Sequence, residues 1–274
     1  MKKKMHIESA GVSDVGRQRQ LNEDAFTSGD ELELYAIADG MGGHMQGEVA
    51  SQTAIAKLSK ELNSHFKHGA DTEKQEVCYN VIVDTIAECN NLILEKNQQN
   101  GSRLGEGMGT TLVGVYFLNN STQAITFNVG DSRIYRYRDR DLVQITRDQT
   151  MYQEWVEGGE LGLPPAQNIL VNAVGLVEEL QADIRLENVN DGDMYLICSD
   201  GLSGLVDNEV LDDILSKTNE LSVTSICKQL VDLANKNGGT DNITVILARV
   251  KLQPSEESTP VVDTQKTVKR IDNV

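Results

Sequence analysis

Five short acidic motifs, most of them closing an apolar run, stand out in this sequence. The motifs are Asn22-Glu23-Asp24, Asp39-Gly40-Met41-Gly42-Gly43-His44, Gly130-Asp131-Ser132-Arg133, Ser199-Asp200-Gly201 and Thr240-Asp241-Asn242. Strand ends are rigid and the turns after them are tight, so carboxylates placed there can meet at one point from distant parts of the chain. Carboxylates that meet repel one another unless a cation lies between them. Oxygen donors without a His or Cys cluster suit Mg²⁺ or Mn²⁺ rather than zinc. With an arginine close by, such a centre favours chemistry on a phosphoryl group.

The composition narrows the setting. A net charge of −17 over 274 residues argues against nucleic-acid binding, which needs a basic face. It also repels phosphorylated substrates at long range, so an anion site must be made positive locally, by metal and arginine. Cys78, Cys89, Cys198 and Cys227 lie singly in apolar runs and read as core thiols in a reducing compartment. Lys2, Lys3 and Lys4 are followed by His6, Glu8 and Asp14 rather than an apolar segment, so no signal peptide is expected. No stretch approaches a membrane span, and the expected location is the cytoplasm.

The elements that must position the motifs come from periodicity. Strands are expected over residues 32–39, 125–129, 134–138, 142–145, 194–198 and 243–250, the third and fourth joined by a turn at Asp139-Arg140-Asp141. Such adjacency favours antiparallel sheets. Helical stripes run through Ala50, Ala54, Leu58 and Leu62, through Cys78, Ile82, Ile86, Cys89 and Ile93, and through Val223, Ile226, Cys227, Leu230, Val231 and Ala234. The last has Ser222 as its cap and stops at Asn237-Gly238-Gly239. Each stripe is one-sided, so each helix should cover a sheet, giving one layered α+β domain over residues 1–252. Residues 148–174, with Trp155, Gly158-Gly159 and Pro164-Pro165, read as an inserted loop carrying a short helix. Residues 253–274 lack a periodic apolar face and are expected to be a disordered tail.

From Ser13 to Val250 the motifs resemble the metal-dependent serine/threonine protein phosphatases of the type 2C family, in their bacterial single-domain form. The match runs through Ser13-Asp14, Gly16, Arg19 and Asn22-Glu23-Asp24, then Ala38 to His44, Gly109-Thr110-Thr111 and Val129 to Arg133. It closes with Ser199-Asp200-Gly201-Leu202 and Gly238 to Val245. The resemblance implies a four-layer sandwich, two antiparallel β-sheets flanked by antiparallel α-helix pairs, with two Mn²⁺ or Mg²⁺ ions at one end. It implies Asp39 as the bridging ligand, the Gly40 carbonyl on one ion, and Asp200 and Asp241 on the other. Asp24 joins the metal site, Glu23 acts through water, and Asp131 helps to hold a third, weaker ion. Arg19 grips the substrate phosphate. Two ions sharing a water bring its pKa near neutrality, so hydrolysis needs no protein nucleophile. The expected substrates are phosphoserine and phosphothreonine proteins, with a serine/threonine kinase and its targets as partners, and residues 148–174 correspond to a flap beside the site.

Some positions stay open. Eukaryotic relatives place His where Met41 stands, so His44 is either the general acid or a cap of the following helix. Asp131 is either a ligand or a turn aspartate paired with Arg133. Gln167 and Asn172 stand where bacterial relatives have basic character. Two competing functions are a non-catalytic phosphoprotein-binding regulator and a hydrolase of another phosphoester, such as a nuclease. No expected ligand is replaced, which weighs against the first, and the negative charge weighs against the second.

Overall fold

A computed structural model describes residues 3–29, 32–42, 46–66, 75–119, 121–218 and 220–254. Among these residues the strands form two antiparallel sheets, one of five strands and one of six. The first contains β1 (Lys3–Asp14), β7 (Arg133–Arg138), β8 (Asp141–Gln144), β10 (Met194–Cys198) and β11 (Ile243–Pro254), in the order β1-β11-β10-β7-β8. The second contains β2 (Asp24–Ser28), β3 (Leu34–Met41), β5 (Leu112–Phe117), β6 (Gln123–Val129) and β9 (Asp183–Asn188) in that order, with the short β4 (Gly109–Thr110) paired to β3.

Three apolar layers hold the sandwich. Between the sheets, Tyr35, Ile37, Val113, Val115 and Phe117 meet Ile134, Tyr195, Ile197, Ile246 and Ala248. Phe117 packs edge-on against both Tyr35 and Tyr195, with centroids 5.6 and 5.4 Å away, the arrangement aromatic quadrupoles prefer. Helices α1 (Gln46–Phe66) and α2 (Gln75–Gln99) cover the outer face of the six-stranded sheet. There Ala54, Leu58, Leu62, Ile82, Ile86 and Ile93 meet Leu34, Ala36, Tyr116 and Phe127. On the other outside, α5 (Asn208–Ser216) and α6 (Val223–Lys236) press Leu211, Leu215, Ile226, Leu230 and Val231 onto Tyr135, Leu196, Val245 and Leu247. The expected four-layer α/β/β/α sandwich is the observed one.

The expected alternation in β3 has a different meaning from a half-solvated strand. Leu34 to Ala38 are all buried, with Leu34, Ala36 and Ala38 facing the helices and Tyr35 and Ile37 facing the other sheet. Small alanines on the helix side let α1 approach closely. Ser222 caps α6 as expected, its Oγ accepting from the Ser225 amide at 3.2 Å. All four cysteines are buried and none of them forms a disulfide. No helix among the described residues is long and apolar enough to cross a membrane. The strand expected to end at residue 250 continues to Pro254. Residues 255–274, and with them nearly all of the expected tail, lie outside the described residues.

Candidate metal centre

Antiparallel register brings the acidic motifs to one end of the sandwich. Asp24 opens β2 directly opposite Asp39, near the end of β3. Asp131 sits in the turn from β6 to β7, and Asp241 lies just before β11. Asp200 follows β10, at the start of the short helix α4 (Asp200–Ser203). A cavity of about 330 Å³ opens there, lined by Arg19, Glu23, Asp39, Gly40, Asp131, Asp200 and Asp241, with Asn168 and Leu170 of the flap on one wall. Asp24 does not line it. Its Oδ2 accepts from Thr244 at 2.6 Å and from Ser199 at 2.9 Å beneath the cavity.

Backbone hydrogen bonds fix the centre. The Asp39 amide donates to Thr111 Oγ1 at 2.9 Å, and the Asp39 carbonyl accepts from the Thr111 amide and from Thr110 Oγ1, each at 2.9 Å. Thr111 Oγ1 also shares a 2.8 Å hydrogen bond with Ser132 Oγ, joining the Asp39 and Asp131 motifs. Asn242 holds the loop before β2: its Oδ1 accepts from the Glu23 amide at 2.8 Å, and its Nδ2 donates to the Leu21 and Val15 carbonyls at 2.8 and 2.9 Å. Gly40 is required sterically, because a Cβ there would collide with the Gly47 carbonyl and come within 2.6 Å of the Glu23 carbonyl. Gly16 turns at φ +82°, a left-handed conformation, and a Cβ would strike the Asp241 carbonyl. That close approach lays the Arg19 loop on the Asp241 turn. Thr111, Ser132, Ser199, Asn242 and Thr244 have no expected role above; Ser132, Ser199 and Asn242 stand next to a motif aspartate in sequence, whereas Thr111 and Thr244 do not.

The electrostatics are those of a site built for cations. Burial, and then the charges of Asp24, Asp200, Asp131 and Asp241, push the Asp39 carboxyl well above the usual carboxylate range. Asp200 is raised by burial and by Asp241, against a hydrogen bond with Asp39 and the charges of Arg19 and Arg133. Burial pushes Asp24 up to about 7, with Asp200 and Asp241 adding to it against the hydrogen bonds from Thr244 and Ser199. Burial together with Asp200 and Asp148 also pushes Asp131 up to about 7. Among the described residues, Asp24 Oδ1 and Asp200 Oδ1 are buried without a hydrogen-bond partner. No group of three His, Cys, Asp or Glu side chains among the described residues is arranged to hold an ion as it stands. Orphaned carboxylate oxygens, mutual repulsion and an all-oxygen donor set fit hard divalent cations.

The remaining expected residues fall as follows. Arg19 reaches the cavity, and its Nη2 pairs with Asp241 Oδ2 at 2.7 Å on the exposed rim. Arg133 does not take Asp131 as its partner: its Nη2 lies 2.7 Å from Asp148 Oδ2, its Nε also donates to Asp148, and its Nη1 donates to Tyr135. Asp131 is thereby left facing the cavity. His44 and Gly43 lie outside the described residues. The insertion carries the expected short helix, α3 (Met151–Glu157), capped by Thr150. Gln167 lines a second cavity of about 300 Å³ that shares Asp131, Asn168 and Asp200 with the first. Asn172 is a buried stem residue facing neither cavity.

A two-sheet sandwich with a carboxylate-lined cavity at one end and an arginine on its rim is an arrangement suited to divalent cations and an anionic group. Residues 15–247 match the family described as Protein phosphatase 2C, and the chain belongs to that family. The serine/threonine protein phosphatase PstP of Mycobacterium tuberculosis is 35% identical over 246 residues, covering 88% of this chain and 44% of that protein. The chain thus spans less than half the length of this relative. The serine/threonine phosphatase stp of Listeria monocytogenes is 34% identical over 251 residues, covering 89% of this chain and 95% of that protein. A crystal structure of the catalytic domain of PstP in complex with two manganese ions superposes with a TM-score of 0.76 at 33% identity, covering 90% of this chain and 99% of the other.

Proposed function

We propose that the chain is a serine/threonine protein phosphatase that hydrolyses phosphoserine and phosphothreonine at a dinuclear Mn²⁺ or Mg²⁺ centre. The observation that carries this is the single cavity of about 330 Å³ into which Glu23, Asp39, Asp131, Asp200 and Asp241 project, with Arg19 at its mouth. Asp39, the Gly40 carbonyl, Asp200 and Asp241 would hold the two ions. Glu23 acts through water, Asp24 supports the site from beneath the cavity, and Asp131 adds a third, weaker position. When bound, two such ions supply a water acidified toward neutrality and offset phosphoryl charge.

The chain's own residues do the rest. Arg19 offers a planar fork that can bind two phosphate oxygens at once, and its bond to Asp241 aims it at the same cavity. Thr111 and Ser132 keep the Asp39 and Asp131 backbones in fixed relation, which is the positioning that in-line attack requires. His44 is proposed as the group that protonates the leaving serine or threonine oxygen. The substrates are phosphoproteins and the natural counterpart is a serine/threonine kinase. Four buried, unbridged cysteines suit a reducing cytoplasm.

The test is hydrolysis of a phosphothreonine peptide. Turnover with Mn²⁺ that disappears after exhaustive EDTA treatment and returns on adding Mn²⁺ is the expected result. Binding of the peptide without turnover would favour a non-catalytic regulator instead, and full turnover after EDTA would remove the metal from the mechanism.

A further inference from the structure

The base of the flap is built with more care than a surface loop needs. Its two legs pair as a short ribbon: the Met151 amide donates to the Ile169 carbonyl at 2.8 Å, and the Val171 amide to the Gln149 carbonyl at 3.0 Å. Beneath this ribbon lie two amide side chains, Gln149 and Asn172, each only 9% exposed. Gln149 Oε1 accepts twice, from the Gly130 amide at 2.8 Å and from Asn172 Nδ2 at 2.7 Å. The Gln149 amide returns a bond to the Gly130 carbonyl at 3.0 Å. Asn172 Nδ2 donates again to the Gln181 carbonyl at 2.7 Å, and Gln149 Nε2 reaches the same carbonyl at 3.2 Å. One leg of the flap, the other leg, the glycine before Asp131 and the segment leading to β9 therefore meet at a single pair of amides.

Buried amides are retained where their full set of bonds specifies a geometry, because each unmade bond costs more than the pair contributes over water. What this pair specifies is the placement of the loop above it, which carries Asn168 and Leu170 to the wall of the acidic cavity. We infer that Gln149 and Asn172 are positioning residues, a latch that holds residues 150–171 against the catalytic cavity so that this wall meets the peptide around the phosphorylated residue. The inference rests on the phosphatase reading above. The latch touches neither the proposed ligands' side chains nor the phosphate, so its loss should be felt by a peptide and not by a small phosphoester.

The experiment compares a phosphothreonine peptide with p-nitrophenyl phosphate on the Mn²⁺-loaded full chain. Gln149→Met and Asn172→Leu keep the side-chain shape and remove the hydrogen bonds. Each should raise KM for the peptide roughly tenfold, the scale of one lost buried hydrogen bond, with kcat held within about threefold. Turnover of p-nitrophenyl phosphate should stay within about threefold of wild type. The double variant should resemble either single one, because one unit has been broken rather than two. An unchanged peptide KM, or a parallel loss on both substrates, would overturn the inference. If the variants do not fold, amide exchange in the wild-type protein decides. The Gly130, Met151 and Val171 amides should open as one unit; Gly130 protected far beyond the other two would overturn the latch. A wild type that hydrolyses neither substrate would defeat the phosphatase reading and leave the exchange test standing.

Discussion

Single residues divide into those proposed to touch phosphate and those proposed to touch metal. Arg19 is proposed for the phosphate, and its pairing with Asp241 is half-exposed, so it contributes at most about 1 kcal/mol to stability. Arg19→Ala should therefore leave the fold and Mn²⁺ affinity near wild type. It should raise KM for a phosphopeptide roughly tenfold and lower kcat by a smaller factor, as loss of a charge-assisted contact predicts. Steady-state kinetics combined with a Mn²⁺ titration checks this; lost metal affinity at unchanged KM would make Arg19 a structural residue. Asp39, Asp131 and Asp200 were legible in the sequence because Asp beside Gly after an apolar run marks a place at or near a strand end, whereas Glu23, Asp24 and Asp241 precede their strands and were legible only as parts of the joint motif pattern. Their supports were not. Thr111, Ser199, Asn242 and Thr244 act through bonds across 72, 175, 219 and 220 positions of sequence, and a hydroxyl or amide carries no periodic signal. Asn172 shows the same limit: its place in the flap suggests a substrate-facing residue, whereas burial and its bonds to Gln149 and Gln181 make it part of the stem.

At the scale of elements, strong periodicity was readable and uniform or polar stretches were not. The one-sided stripes at residues 50–62, 78–93 and 223–234 lie within α1, α2 and α6. The run Leu112 to Phe117 is β5, buried at every position. A strand covered on both faces shows no alternation, and a short apolar run of this kind cannot be told from buried helix by pattern alone. β1 fails for the opposite reason. It has Lys3, Lys4, His6 and Glu8 in a 12-residue strand at the edge of its sheet, where among the described residues one side has no strand neighbour and polar residues are tolerated. The Asp131 motif does close its strand, with Gly130 turning at φ +100°, whereas the run expected to end at Asp39 continues as strand through Gly40 to Met41, and Gly40 is required by close packing rather than by a turn.

At the scale of the whole molecule, the site makes stability depend on protons and metal together. Asp24 and Asp131 ionise near 7 in the folded protein, against 3.8 for an unperturbed carboxyl. Between those values the folded state holds protons that the unfolded chain releases. Their contribution is therefore fully present below about pH 4 and is lost as pH rises toward 7. Glu157, held down to about 2 by its hydrogen bonds to Arg147 and Gln153, acts below this window and does not offset it. In EDTA the Tm should fall between pH 5 and pH 7.5. Excess Mn²⁺ should reverse that slope, since ions bind the ionised carboxylates and stabilise by about 2.7 kcal/mol at a hundredfold excess over Kd. A thermal melt series at both conditions checks this, and a Tm that rises with pH in EDTA would contradict it. The central claim, that carboxylates shared between ions drive the hydrolysis, is tested most directly at Asp39, whose neighbours Asp24, Asp131, Asp200 and Asp241 all act on it. The measurement is phosphothreonine-peptide turnover by Asp39→Asn at saturating Mn²⁺. The account predicts a folded protein whose kcat falls at least about a hundredfold, a barrier increase of ~2.7 kcal/mol or more; a variant keeping more than about a tenth of wild-type kcat, a loss of only ~1.4 kcal/mol, would contradict it.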